Sequence, residues 1–291
     1  MKGSFYRPEA NVRWSIGIYT GADWRRLEPA PGLAHPVLTP EHVTDGRSRL
    51  VADPFLVREE GGWYMFFETL DPAVGRGEIA YATSADGLTW RYGGVVLREP
   101  FHLSYPRVFR WEGRYYMTPE TRQAHAVRLY TAVDFPTRWS FAGSLVHGYL
   151  ADPTVLDHDG RFWLFAQRGL DEMRLYVADR PVGPWREHPV SPVYVGDRSR
   201  SRPAGPVLAD SGRLYRLAQD AIPHYGHSIR AFEIERLTET EYREHPVDGG
   251  PVLTASRRGW NAMGMHHLDA HQTDTGNWLA AVDGATLELA Q

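Results

Sequence analysis

The sequence predicts an all-β fold, a five-bladed β-propeller whose last blade is closed by strands from the N-terminus. Three observations lead there. A turn glycine recurs five times, each ahead of an aromatic strand: Gly61, Gly113, Gly160, Gly212 and Gly276 open GGWYMFFE, GRYYMTPE, GRFWLFAQ, GRLYRLAQ and GNWLAAVD. Seven residues past each glycine stands a polar group: Glu68, Glu120, Gln167, Gln219 and Asp283. Ahead of the first four glycines stands a proline, Pro54, Pro106, Pro153 and Pro206, with spacings of 52, 47 and 53 residues. Repeats of this length made of short aromatic and β-branched strands are the signature of propeller blades.

Each blade can be followed in order. The prolines mark an inner strand and the glycines begin a second. A third strand follows at IAYATS (79–84), VRLYTA (127–132), MRLYVA (173–178) and SIRAFE (228–233). An aromatic residue closes a fourth strand: Trp90, Trp139, Trp185 and, one residue later in its repeat, Tyr242. The fifth repeat has no outer strands after Gly276, but WSIGIYTGADW (14–24) carries their pattern. One domain over 1–291 results, with blades at about 51–98, 103–147, 150–195, 202–248, and 262–291 joined with 11–38. Joining the termini in one blade removes a free sheet edge. LTETEYREH (237–245) fits a loop and outer strand better than a helix.

Composition narrows the function. Hydrophobic residues make up 42% of the chain, enough for a core, and the net charge is only −4 with a single lysine, Lys2, so no nucleic-acid surface is expected. There is no cysteine, which excludes thiol chemistry and disulfides. MKGSFYRPEANVRW lacks an apolar stretch and no run of about 18 apolar residues occurs, so neither a leader nor a membrane span is expected, and the expected location is cytoplasmic. No pattern supports a cofactor or a metal, either a divalent ion in the channel or a histidine site: His267 and His271 are four apart, but in a strand rather than a helix.

In a propeller the start of each inner strand and the end of each second strand share one face. Asp53, Tyr105, Asp152 and Gly205 occupy the first position; Glu68, Glu120, Gln167, Gln219 and Asp283 occupy the second. An Asp-Pro can simply cap a turn, and the glutamines can simply bond backbone. Two Asp-Pro pairs at equivalent positions, with Glu68 and Glu120 on the same face, point instead to a carboxylate-lined funnel. Asp220 adjoins this set, and His266 and His267 precede the fifth inner strand. Arg200 and Arg202, from GDRSRSRP (196–203), and Arg107 are candidate contacts, as are Tyr225 and His227 in a turn or at the rim.

The motifs ADPF, SYPRVF, ADPT and RPAGPV resemble the propellers of glycoside hydrolase family 43. Over nearly the whole chain WSIGIY, VADPF, SYPRVF, YMTPET, ADPT, WLF, RPAGP, AQD and LTETEYRE resemble the N-terminal propeller of glucosamine inositolphosphorylceramide transferases. The family 43 resemblance implies a base at Asp53 and a pKa-tuning carboxylate at Asp152. The family's acid glutamate is replaced by Ala204, ahead of Gly205-Pro206. The expectation is a carbohydrate-active enzyme that cleaves or transfers a glycosidic bond on a glycoconjugate, with Glu120 or Asp220 as acid. Glu68, Tyr105, Arg107, Arg202, Gln219, Tyr225, His227, His266 and His267 would bind a small-molecule or glycoconjugate substrate, for which the arginines suit an anionic group. The alternatives are a biosynthetic lyase, cyclase or transferase on the same scaffold, and a non-catalytic glycan-binding propeller.

Overall fold

The computed structural model describes residues 12–287. Five antiparallel sheets stand around a central channel. Blade 1 is built from Val51–Glu59, Gly62–Asp71, Arg76–Ser84 and Arg91–Leu97. Blade 2 is Ser104–Trp111, Arg114–Glu120, Ala126–Asp134 and Arg138–His147, and blade 3 is Leu150–His158, Arg161–Arg168, Glu172–Ala178 and Arg186–Glu187. In blade 4 the inner strand is split into Arg202–Pro203 and Leu208–Asp210, both pairing with Arg213–Asp220; Ser228–Leu237 follows, with Tyr242–Pro246 and the short Leu253–Thr254 both paired to it. Residues 237–245, weighed above as a helical turn, form the end of one strand and the start of the next.

Blade 5 joins the two ends of the chain. Val12–Gly21 pairs along its full length with Trp278–Leu287, from Val12 opposite Leu287 to Gly21 opposite Trp278. Leu268–Gln272 lies inside this pair and Glu28–Pro29 outside it. The blade limits expected at residue 11 and at 288–291 lie outside the described residues. Among the described residues the helices are short 3-10 turns, and no helix is long and apolar enough to cross a membrane.

The second-strand aromatics of the repeat fill the spaces between blades. Phe66 packs with Leu103, Val108, Met117, Tyr130 and Trp139 across the first and second blades, and Phe165 and Trp163 pack with Tyr242 across the third and fourth. Each fully buried side chain of this kind contributes about 1.5–3 kcal/mol. Alternation along the strands then leaves the polar residue at each strand end free to face the channel.

Candidate active site

The repeat places a bulge at the mouth of each of the first three inner strands. Sheet register skips from Ala52 to Phe55, from Ser104 to Arg107 and from Ala151 to Thr154. Asp53, Tyr105 and Asp152 lie in these skips with φ of 53°, 49° and 50°. Aspartate tolerates this left-handed conformation better than most residues, and a bulge re-aims its side chain. The fourth repeat uses Gly205 at φ 141°, where a Cβ would stand 2.0 Å from the Leu268 carbonyl oxygen, so only glycine fits.

The strand-end carboxylates hold these bulges. Asp283 accepts the N–H of Asp53 at 3.1 Å on one oxygen and the N–H groups of His266 and His267, both at 3.0 Å, on the other. Glu120 accepts the N–H of Asp152 at 3.2 Å. Asp53 in turn accepts the Tyr105 N–H at 3.2 Å. The two sets of positions that the repeat aligns therefore meet across blade boundaries.

Above this ring opens a pocket of about 140 Å³. Asp53, Glu68, Glu120, Arg202, Tyr225 and His266 line it. One wall is aromatic: the His266 ring stacks on Trp14 with centroids 4.0 Å apart, Tyr225 stands edge-on to His266 at 5.2 Å, and the Arg202 guanidinium lies over Tyr225 at 5.0 Å. The other wall is charged. Arg202 forks onto Asp152 with contacts of 2.5 and 3.2 Å and stands 3.6 Å from Glu120, whose other oxygen is 2.9 Å from Arg122.

Asp152 and Gln219 support the pocket from behind. The Gln219 amide donates to Asp152 at 3.0 Å and to the Pro203 carbonyl at 3.1 Å. Tyr105 is no rim contact: its buried hydroxyl bonds Thr154 at 2.7 Å and both backbone groups of Gly205 at 2.8 and 2.9 Å, pinning blades 2, 3 and 4 together. His267 is fully buried beneath, edge-on to Phe55 at 4.5 Å and Tyr105 at 5.3 Å. Arg107 lines a separate cavity and His227 packs edge-on to His224. Asp220 also leaves the set. It is bonded to Arg230 at 2.7 Å, because adjacent residues of one strand point to opposite faces and Gln219 takes the channel side. Arg200 is bonded to Asp197 at 2.6 Å and stacked on Tyr194.

Trp14, His102, Arg122, Gln123 and Tyr149 also line the pocket and were not among the expected contacts. Trp14 opens WSIGIY, which the sequence assigns only as a strand of the fifth blade. Arg122 stands two residues past Glu120, a proximity visible in TPETR, whereas His102, Gln123 and Tyr149 sit in connections that carry no repeat.

Burial sets the ionisation of the cluster. It pushes Asp53 up to about 6, against the nearby His266. It raises Glu68 well above the usual carboxylate range, and the charges of Asp53, Glu120, Asp152 and Asp283 add to the rise. Glu120 is held low against burial by Arg122 and Arg202, and Asp283 by the His266 ring 2.7 Å away. Asp283 in return keeps His266 above its ordinary value despite burial. Burial lowers His267 to about 4, which leaves it neutral. Asp53, His266 and Asp283 bring three donor atoms within 4.8 Å of one another, but Asp283 is already committed on both oxygens to the backbone and to His266.

A pH dependence follows. A carboxyl raised in the folded state binds its proton more tightly there, so its contribution is full below pH 4 and is lost as pH rises through the folded value. Asp53, Glu68 and Asp152, which burial pushes up to about 8 against Arg202, act in this sense, and the raised His266 loses its contribution in the same direction. Glu120 and Asp283, held low, lose theirs on acidification instead. The melting temperature is expected to peak near about pH 5 and to fall toward about pH 9, and Glu68→Gln is expected to flatten that fall. Calorimetry of both proteins across this range checks it; parallel alkaline limbs would contradict it.

The five-bladed propeller fold of this chain is shared with glycoside hydrolases of solved structure. A putative glycosidase from Bacteroides thetaiotaomicron superposes with a TM-score of 0.65 at 14% identity, covering 90% of this chain and 97% of that one. A family 117 glycoside hydrolase from Zobellia galactanivorans gives 0.54 at 16% identity, over 83% and 86% of the two chains. Residues 6–285 match the family described as glucosamine inositolphosphorylceramide transferase 1, N-terminal, and the chain belongs to that family. It is 37% identical to glucosamine inositolphosphorylceramide transferase 1 of Oryza sativa subsp. japonica over 301 residues and 35% identical to that of Arabidopsis thaliana over 304. These alignments cover 95% and 96% of this chain but only 40% of each relative.

Proposed function

We propose that the pocket acts on the glycosidic bond of a glycoconjugate, by cleavage or transfer, with Asp53 as the base and Glu68 as the acid. The observation that carries this is Glu68. It is 8% exposed, it lines the pocket together with Asp53, and His102 stands 3.5 Å from it. A carboxyl so placed keeps its proton near neutrality and can deliver it to a leaving oxygen. This moves the acid away from the two residues favoured by the sequence. Glu120 is held ionised between two arginines, and Asp220 faces Arg230 outside the pocket. The plant relatives are named glucosamine inositolphosphorylceramide transferases, and those names support a glycoconjugate substrate.

The charges favour a neutral or amine-bearing sugar ring over an anionic one. With Glu68 protonated, Asp53, Glu120, Asp152 and Asp283 still face Arg122, Arg202 and His266, and both arginines are already paired with carboxylates. An anionic group would have to displace Asp152 or Glu120. Titration calorimetry at pH 7 with glucosamine, N-acetylglucosamine and glucuronate tests this. Glucuronate is expected to bind at least about tenfold more weakly than either hexosamine, a difference of about 1.4 kcal/mol; glucuronate binding most tightly would overturn it. A second reading, glycan binding without chemistry, draws on the Trp14–His266–Tyr225 wall, and turnover of hexosaminides by wild type, Asp53→Asn and Glu68→Gln separates the two.

A further inference from the structure

We propose that His102 is a positioning residue that selects which oxygen of Glu68 carries the proton. The proposal rests on the reading of Glu68 as a proton donor and deepens it. The backbone N–H of Gly77 donates to His102 Nδ1 at 2.9 Å. A ring nitrogen that accepts a hydrogen bond carries no proton, so the neutral ring bears its hydrogen on Nε2. Nε2 stands 3.5 Å from Glu68 Oε1. Oε1 therefore faces a donor, and the carboxylic proton is left to Oε2.

The surrounding backbone is built to fix this ring. The His102 N–H donates to the Gln123 side chain at 2.9 Å, and the N–H of the next residue, Leu103, donates to the Gly77 carbonyl at 3.0 Å. Gly77 thus holds the loop through both of its backbone groups. It also leaves the space in which the pair meets: a Cβ there would stand 2.2 Å from the Leu103 oxygen, 2.7 Å from Glu68 Oε1 and 2.8 Å from His102 Cε1. Other than Glu68, the charged groups facing His102 are Glu120, Arg122 and Arg202; those facing Glu68 are Asp53, Glu120, Asp152 and Asp283. Burial lowers His102, so the ring stays neutral and serves as a donor rather than as a charge.

Long-range ¹⁵N–¹H correlation spectra of the ¹⁵N-histidine protein read the tautomer directly. The neutral His102 ring is expected to carry its proton on Nε2 between about pH 6 and 8; a proton on Nδ1 would overturn the proposal. ¹³C-carboxyl titration of Glu68 in wild type, His102→Gln and His102→Phe gives a second readout. A donor to a carboxylate favours the charged form, so removing it in His102→Phe is expected to raise the Glu68 midpoint above that of wild type. Gln retains an N–H donor, and His102→Gln should titrate as wild type does. Equal midpoints in all three proteins would contradict the role. Where His102→Phe fails to fold, the wild-type tautomer decides alone. Neither readout requires turnover, so a Glu68 without catalytic function would be recognised separately from a His102 without a positioning function.

Discussion

Ala204→Glu, which restores the glutamate of the glycosidase pattern, is expected to destabilise the protein and to confer no hydrolysis. Ala204 is fully buried in an apolar cluster with Leu208, Leu217, Met265 and Leu268 and does not line the pocket. Its N–H donates to the Leu217 carbonyl at 3.2 Å and its carbonyl accepts from Leu268 at 2.9 Å, so neighbouring strands of blades 4 and 5 fix the backbone. Gly205 beside it already stands against the Leu268 carbonyl. A glutamate here has neither room nor a partner. An unpaired buried carboxyl together with overpacking costs about 3 kcal/mol or more, which for a chain of this size lowers the melting temperature on the order of 10 °C. Differential scanning fluorimetry checks the loss. A variant as stable as wild type that gained glycosidase activity would show that side chains at 204 do reach the funnel, and would return the acid to its place in the fourth blade.

The repeat was legible because each blade must solve the same packing problem. The turn glycine, the aromatic second strand and the polar residue seven positions on recur for physical reasons, and WSIGIY was recognisable as the missing strand of the fifth blade. The same symmetry brought Asp53, Glu68 and Glu120 to one funnel. It failed where equivalent positions do different work. Tyr105 occupies the same left-handed bulge as Asp53 and Asp152, yet its long side chain reaches Thr154 and Gly205 below the pocket instead of lining it. Asp220 was drawn in by its adjacency to Gln219, and adjacency in a strand means opposite faces. Arg202 was expected to meet an anion from outside, and the anion it meets is Asp152 from the neighbouring blade. His102 carries no periodic signal, since it belongs to the connection between blades 1 and 2, and only the folded chain brings it to Glu68, whereas Arg122 already stands two residues past Glu120 in the sequence.

Asp53→Asn and Glu68→Gln are expected to fold as wild type does and to fail in different ways. Asparagine tolerates the left-handed conformation at 53 and keeps an oxygen for the Tyr105 N–H. Glutamine at 68 keeps an oxygen for His102. The base is needed whatever group departs, so Asp53→Asn should lose activity on every glycoside. The acid is needed only when the leaving oxygen is basic. Its removal should cost roughly 10²–10⁴ in rate on alkyl glycosides and little on dinitrophenyl glycosides, whose leaving group departs without a proton. The most direct measurement is kcat/KM for wild type, Asp53→Asn and Glu68→Gln on hexosaminides of graded leaving-group pKa. The predicted result is a loss for Glu68→Gln that grows with leaving-group pKa, beside a uniform loss for Asp53→Asn. Wild-type turnover that Glu68→Gln leaves unchanged on alkyl glycosides, or no turnover by wild type on any of them, would contradict the account.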